Sequence, residues 1–140
     1  MPIATTAVHH VRLTVRDLAT SRRFYDDVFG WDVAYELPPD ADEATREQLS
    51  FLFGGLIYAT PWGLFGLRPV APGGDTFSED RVGLDHVSLL LADLPALEDA
   101  ARQLDELGIA HEPIKDAGGL SILEFRDPDN IALELSAPTG

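Results

Sequence analysis

The sequence predicts an α+β fold of two β-α-β-β-β modules, and three observations carry that expectation. First, His10-Val-Arg-Leu-Thr-Val-Arg-Asp-Leu18 and His86-Val-Ser-Leu-Leu-Leu-Ala-Asp-Leu94 repeat one pattern at identical spacing: a histidine, an alternating strand, then Asp-Leu opening a helical stretch. A repeat of this length marks a duplicated supersecondary unit. Second, each copy is followed by three strand-like segments bounded by turn residues. Third, the Pro/Gly-rich stretch 69–81 between the copies has no hydrophobic periodicity. The reading is one domain, 1–140, with module one at 7–70, a linker at 71–82 and module two at 83–137.

Val11, Leu13 and Val15 alternate with His10, Arg12 and Thr14, the period of a half-buried strand. Asp17 then caps a helix whose apolar stripe is Leu18, Phe24, Tyr25, Val28 and Phe29, and Gly30 ends it. Extended segments are expected at 31–37, 49–59 (interrupted at Gly54-Gly55) and 64–70. The acidic segment 38–48 inside this module reads as a loop, with a lid over a site as one role for it. In the second copy Val87, Leu89 and Leu91 form the strand's apolar face. Asp93-Leu94-Pro95 opens a helix with Leu97, Ala101, Leu104 and Leu107 on one side, closed by Gly108. Strands are expected at 109–114, 120–126 and 131–136, with Asp127-Pro-Asp-Asn130 as the tight turn between the last two.

Bulk composition narrows the function classes. The chain has 45% hydrophobic residues, enough for one cored domain, yet no apolar run approaching the roughly 20 residues that span a bilayer. Its opening residues do not form a signal peptide, and the chain has no cysteine, so disulfides and thiolate metal sites are absent and a cytoplasmic location is expected. A net charge of −14 with Lys115 as the single lysine argues against nucleic acid and against anionic membrane surfaces. The expected partner is a small molecule.

Strand faces then select candidate ligands. If the apolar residues of each first strand pack on a helix, His10, Arg12 and Thr14 point the other way, as do His86 and Ser88. In the last strand Ile131, Leu133 and Leu135 take the helix side, which leaves Glu134 on the opposite face. Two imidazoles and one carboxylate suffice for a divalent metal while leaving positions open for water or substrate. His9 is expected on the helix side by alternation.

These residues carry a family resemblance. The segments His9-His-Val-Arg-Leu-Thr-Val-Arg-Asp-Leu with Phe24-Tyr25 and Phe29-Gly-Trp31, Gly83-Leu-Asp-His-Val-Ser, and Phe125-Arg-Asp-Pro-Asp-Asn-Ile-Ala-Leu-Glu-Leu135 resemble, in this order, the vicinal oxygen chelate superfamily of glyoxalase, bleomycin resistance and extradiol dioxygenase relatives. The resemblance implies a cupped, mostly antiparallel sheet around a central site, closed within one chain or across a homodimer. It implies metal ligands at His10, His86 and Glu134. The family's fourth ligand position falls near Gly66 or Leu67, where glyoxalase I relatives carry glutamate and methylmalonyl-CoA epimerase relatives glutamine. Neither is present, which counts against both activities.

Two branches remain. Extradiol dioxygenases hold Fe(II) by two histidines and a carboxylate, and fosfomycin-resistance transferases use Mn²⁺; a phosphonate substrate needs a cationic cluster, which scattered arginines match poorly. The expectation is a metal-dependent enzyme binding a small oxygenated substrate through two vicinal oxygens, with Fe(II) favoured over Zn, Mn or Ni and dioxygenase-like chemistry favoured. Glyoxalase-like isomerase or lyase chemistry and a non-catalytic resistance-type binder are the alternatives. Arg12 would orient an anionic group and Ser88 donate a hydrogen bond. Phe51, Phe53, Tyr58 and Trp62 would form an aromatic ligand wall, and His111 is the candidate additional acid/base.

Overall fold

Alternation in the first histidine segment becomes β1 (His10–Thr14) in the computed structural model, which describes residues 1–139. Leu13 and Val15 turn inward and are buried, whereas His10 and Thr14 stay exposed. The Asp17 carboxylate accepts the Thr20 amide at 3.0 Å and starts α1 (Leu18–Val28), satisfying an N–H that the first helical turn leaves without a partner. Ser21 and Tyr25 are the helix residues buried fully, and Tyr25 packs against Phe65. β2 (Asp32–Glu36), β3 (Leu56–Thr60) and β4 (Gly63–Arg68) complete a mixed sheet in the order β1-β4-β3-β2. The β1–β4 pair is parallel and the other two pairs are antiparallel.

Between β2 and β3 the chain departs from the expected loop and extended run. Residues Glu43–Gln48 form a short helix, α2, whose first turn is capped by Asp42 accepting the Thr45 amide at 2.8 Å. A single 3₁₀ turn at Ser50–Leu52 follows, with Leu52 buried and Phe53 in the left-handed region at φ 50°. The strand therefore begins at Leu56 rather than at residue 49. Gly55 explains the tight approach: a Cβ there would stand 1.8 Å from the Leu67 carbonyl oxygen, so only glycine lets the chain press against β4 at this point.

The second copy repeats the order. β5 (Val87–Leu90) leads to α3 (Leu94–Glu106), capped by Asp93 accepting the Ala96 amide, with Leu97 and Leu104 buried. β6 (Lys115–Asp116), β7 (Leu120–Arg126) and β8 (Ala132–Pro138) follow, in the sheet order β5-β8-β7-β6 with β5 parallel to β8. The expected strand at 109–114 is reduced to an isolated bridge between His111 and Phe125 ahead of the two-residue β6. Pro113 has no N–H to give a ladder, which limits pairing there.

The Asp127–Asn130 turn forms as expected. Asp127 Oδ1 accepts the amides of Asp129 (2.8 Å) and Ile131 (2.9 Å), and Asn130 takes the left-handed conformation at φ 67°. The chain is α+β, with one four-stranded sheet in each of two compact units, Met1–Gly73 and Gly74–Gly140. Among the described residues no helix is long and apolar enough to cross a membrane.

Candidate functional site

Burial of Leu133 and Leu135 on the α3 side of β8 leaves Glu134 on the other face, opposite Ser88 of β5 and Glu124 of β7. Its side chain is 12% exposed. Ser136, next on the same face, donates its hydroxyl to Glu134 Oε1 at 3.2 Å and also meets the Ser88 hydroxyl. With the Ser136 proton so used, Ser88 is the donor to Ser136. One carboxylate oxygen is thus fixed by a hydroxyl pair, while Oε2 lies 3.8 Å from His86 Nε2.

His86 sits just ahead of β5, with Nδ1 2.6 Å from Asp85 Oδ1. A carboxylate only accepts, so Nδ1 carries the proton of this bond. That bond chiefly, with the Glu134 charge behind it, raises the His86 pKa above its ordinary value. In the neutral ring Nε2 is the lone-pair nitrogen, and it faces Glu134.

The pair lines a cavity of about 360 Å³ with His111, Glu124 and Arg126. His111 Nδ1 faces the Glu112 carbonyl at 2.8 Å and Nε2 faces Asp105 at 2.7 Å. Both partners are acceptors, the carbonyl contributing most and Asp105 next, so the His111 pKa is raised and the imidazolium is favoured. At the rim Arg126 clamps Glu79 through two bonds, at 2.9 and 2.6 Å, and holds its pKa down at about 2.

In the first unit His10 is exposed at the start of β1, with Nδ1 2.9 Å from Nδ1 of His9. His9 is not turned to the helix side as alternation suggested: it precedes the strand, is exposed and pairs with His10. Arg12, on the same face of β1 as His10, donates Nη2 to the Phe51 carbonyl at 2.6 Å. Burial first, and then the Arg68 charge, lower its pKa. The arginines are therefore less scattered than the sequence suggested, because the fold brings Arg12 and Arg68 to one aromatic ring, that of Phe53.

Two members of the expected aromatic wall lie elsewhere. Tyr58 is fully buried, and its hydroxyl donates to Asp26 at 2.8 Å, so it belongs to the packing beneath α1. Trp62 makes ring contacts with Trp31 and Phe65 in the same aromatic cluster. Phe51 and Phe53 are exposed near Arg12. Sequence reasoning put Ser136 on the Glu134 face but gave no role to it, to Asp85 or to Glu124. Ser136 shares the two-residue period of Glu134, and Asp85 adjoins the repeated histidine, so both carried a local signal.

Among the described residues no group of three or more His, Cys, Asp or Glu is gathered to hold a metal ion. The chemistry of His86 and Glu134 nonetheless fits one. Two N/O donors at about 2.1 Å from one ion stand roughly 3.0–3.4 Å apart at angles near 90–110°. At 3.8 Å the pair needs only a small side-chain rotation to reach that spacing. The histidine is backed by Asp85 and the carboxylate by Ser136, the outer support that ligating groups need.

Comparison with known proteins gives a consistent picture. A crystal structure of a glyoxylase/bleomycin resistance protein/dioxygenase domain from Frankia sp. EAN1pec is 30% identical, with 96% of this chain and 93% of that one covered and a TM-score of 0.75. The fold is shared with the genomically encoded fosfomycin resistance protein FosX from Listeria monocytogenes (18% identity, 97% and 96% covered, TM-score 0.69). It is likewise shared with lactoylglutathione lyase from Agrobacterium tumefaciens (18%, 95% and 94%, TM-score 0.69). No curated protein sequence matches the chain significantly. The model of the Glyoxalase/Bleomycin resistance protein/Dioxygenase superfamily matches residues 7–135, and the chain belongs to that superfamily.

Proposed function

We propose that the protein is a divalent-metal enzyme acting on a small organic substrate that presents two adjacent oxygens. The observation that carries this reading is the His86–Glu134 pair, two potential ligands 3.8 Å apart whose remaining polar atoms are held by Asp85 and Ser136. The family resemblance would add His10 as a third donor, and two imidazoles with one carboxylate suit Fe(II). A FosX structure from Listeria monocytogenes was solved with Mn(II), which supports metal use in this fold.

When bound, the metal would supply Lewis acidity to the substrate oxygens. The chain's own residues do the rest. Asp85 keeps the His86 proton on Nδ1, and Ser88 and Ser136 hold Glu134 in one orientation. His111, held between two acceptors, is a proton donor lining the same cavity. We favour oxygen-dependent, dioxygenase-like chemistry, because this donor set leaves several coordination positions open.

The test is metal content of chelator-stripped protein after reconstitution with Fe(II), Mn²⁺, Zn²⁺ or Ni²⁺, beside His10→Ala, His86→Ala and Glu134→Ala. The reading expects near-stoichiometric uptake of at least one metal by the wild type and a large loss in each variant. Uptake that is negligible everywhere, or unchanged in all three variants, would sink it. Oxygen consumption by Fe(II)-loaded protein with candidate vicinal diols then tests the dioxygenase assignment separately.

A further inference from the structure

The two units place very different chemistry on the same backbone positions. In the second unit Ser88 lies opposite Glu134, and Ser136 follows two residues on along β8. In the first unit Arg12 lies opposite Gly66 in the same parallel register, and Arg68 follows two residues on along β4. The hydroxyl–carboxylate–hydroxyl trio of one copy is thus replaced by two arginines flanking a glycine in the other.

Gly66 makes the replacement sterically workable. A Cβ at this position would stand 3.0 Å from Arg12 Cγ, so the arginine stem occupies the space where the second copy carries a carboxylate. Arg12 and Arg68 both point to the Phe53 ring, with Cζ at 5.9 and 4.2 Å from its centroid. Phe53 itself is held in the left-handed region at φ 50°, a conformation that bulky residues adopt where surroundings enforce it and that concentrates at functional sites.

Charge accounting points the same way. Although the chain carries −14, neither guanidinium meets a carboxylate among the described residues, whereas Arg22, Arg81, Arg102 and Arg126 each do. Arg12 spends one nitrogen on the Phe51 carbonyl, and its Nε is buried with no acceptor. Holding two like charges together with unspent donors costs stability and makes sense where an external anion completes the site.

We propose that Arg12 and Arg68, with the Phe53 ring beside them, form a binding site for the oxyanion of a small ligand, a carboxylate or phosphonate group, on the face of β1 that carries His10. The site rests on the metal-enzyme reading only in calling that ligand the substrate; the anion binding itself needs no metal. It gives the bound ligand a negative charge and assigns the recognition of that charge to the first unit.

The test uses full-length, chelator-stripped, ¹⁵N-labelled protein and follows the arginine Nε–Hε signals, assigned with R12K and R68K. Acetate and methylphosphonate are titrated separately against chloride at constant ionic strength. The proposal expects saturable shifts of the Arg12 and Arg68 signals with at least one oxyanion and none with chloride. The stronger of the two identifies carboxylate or phosphonate as the preferred group. Because Arg12 also packs over Gly66, R68Q is the deciding variant, and it should weaken binding by about tenfold or more, the effect of losing one charge-assisted hydrogen bond. Shifts that grow linearly and equally in wild type and R68Q, or saturation matched by chloride, would overturn the site. Metal uptake measured on the same preparations separates the two readings, since either can fail while the other holds.

Discussion

Replacing Asp127 by alanine removes one side-chain oxygen on which two backbone amides depend. Oδ1 accepts from Asp129 N at 2.8 Å and from Ile131 N at 2.9 Å, in a turn where Asp127, Asp129 and Ile131 are each 4–6% exposed. A buried donor left without an acceptor costs about 1–3 kcal/mol, so two cost about 2–6 kcal/mol. Water can reach the exposed flank of Asn130, which places the expected loss near the lower part of that range, about 3 kcal/mol. For a chain of this size that corresponds to roughly 10 °C in Tm. Asp127→Asn keeps a carbonyl oxygen in the same place and should lose only about 1 kcal/mol. Urea unfolding followed by circular dichroism, with m-values compared, measures both. A loss below about 0.5 kcal/mol for alanine, or equal losses for alanine and asparagine, would refute the two-amide account. The turn matters for function because it feeds β8 in the register that sets Glu134 opposite Glu124 and Ser88.

Two further outcomes follow from the same structure. Tyr58→Phe keeps the ring packing and loses the hydroxyl bond to Asp26, so stability should fall by about 1 kcal/mol while ligand binding is unchanged; unchanged stability with impaired binding would return Tyr58 to a ligand wall. The raised His111 pKa gives a pH signature whose stabilising contribution is fully present below the ordinary value of 6.5 and is lost as pH rises through the folded-state value. Asp105→Asn should move the His111 titration, followed by NMR, back toward 6.5 and flatten that part of the stability profile. An unmoved titration would show that Asp105 does not hold the imidazolium.

The duplicated order of elements was legible because its signals are local and repeated. Asp17 and Asp93 cap their helices through an oxygen three residues from the amide they serve, and the alternation around Leu13, Leu133 and Leu135 matches the faces they bury. Helix α2 escaped because none of its six residues is buried: a helix without an apolar stripe leaves no hydropathy period, only the Asp42 cap. The run before Leu56 looked extended by composition, but one buried leucine in a 3₁₀ turn and a left-handed Phe53 shape it instead.

At the candidate site, strand alternation placed Glu134 and Ser88 on one face. It could not show that Tyr58 would find Asp26 from α1, since that partner is far away in sequence. The convergence of Arg12 and Arg68 is equally non-local. It depends on the β1–β4 register and on the side chain of Phe53, neither of which a window of residues contains.

The exchange of Ser88, Glu134 and Ser136 for Arg12, Gly66 and Arg68 has a consequence for how this chain can be re-engineered. The backbone symmetry of the two copies survives, but their chemical symmetry does not, so each copy serves as an internal template for the other. Arg12→Ser with Gly66→Glu and Arg68→Ser would graft the hydroxyl–carboxylate–hydroxyl trio onto β1 and β4 beside His10, in the register that the second copy uses. Matching strands of the two copies thus carry opposite electrostatic character on one shared backbone pattern.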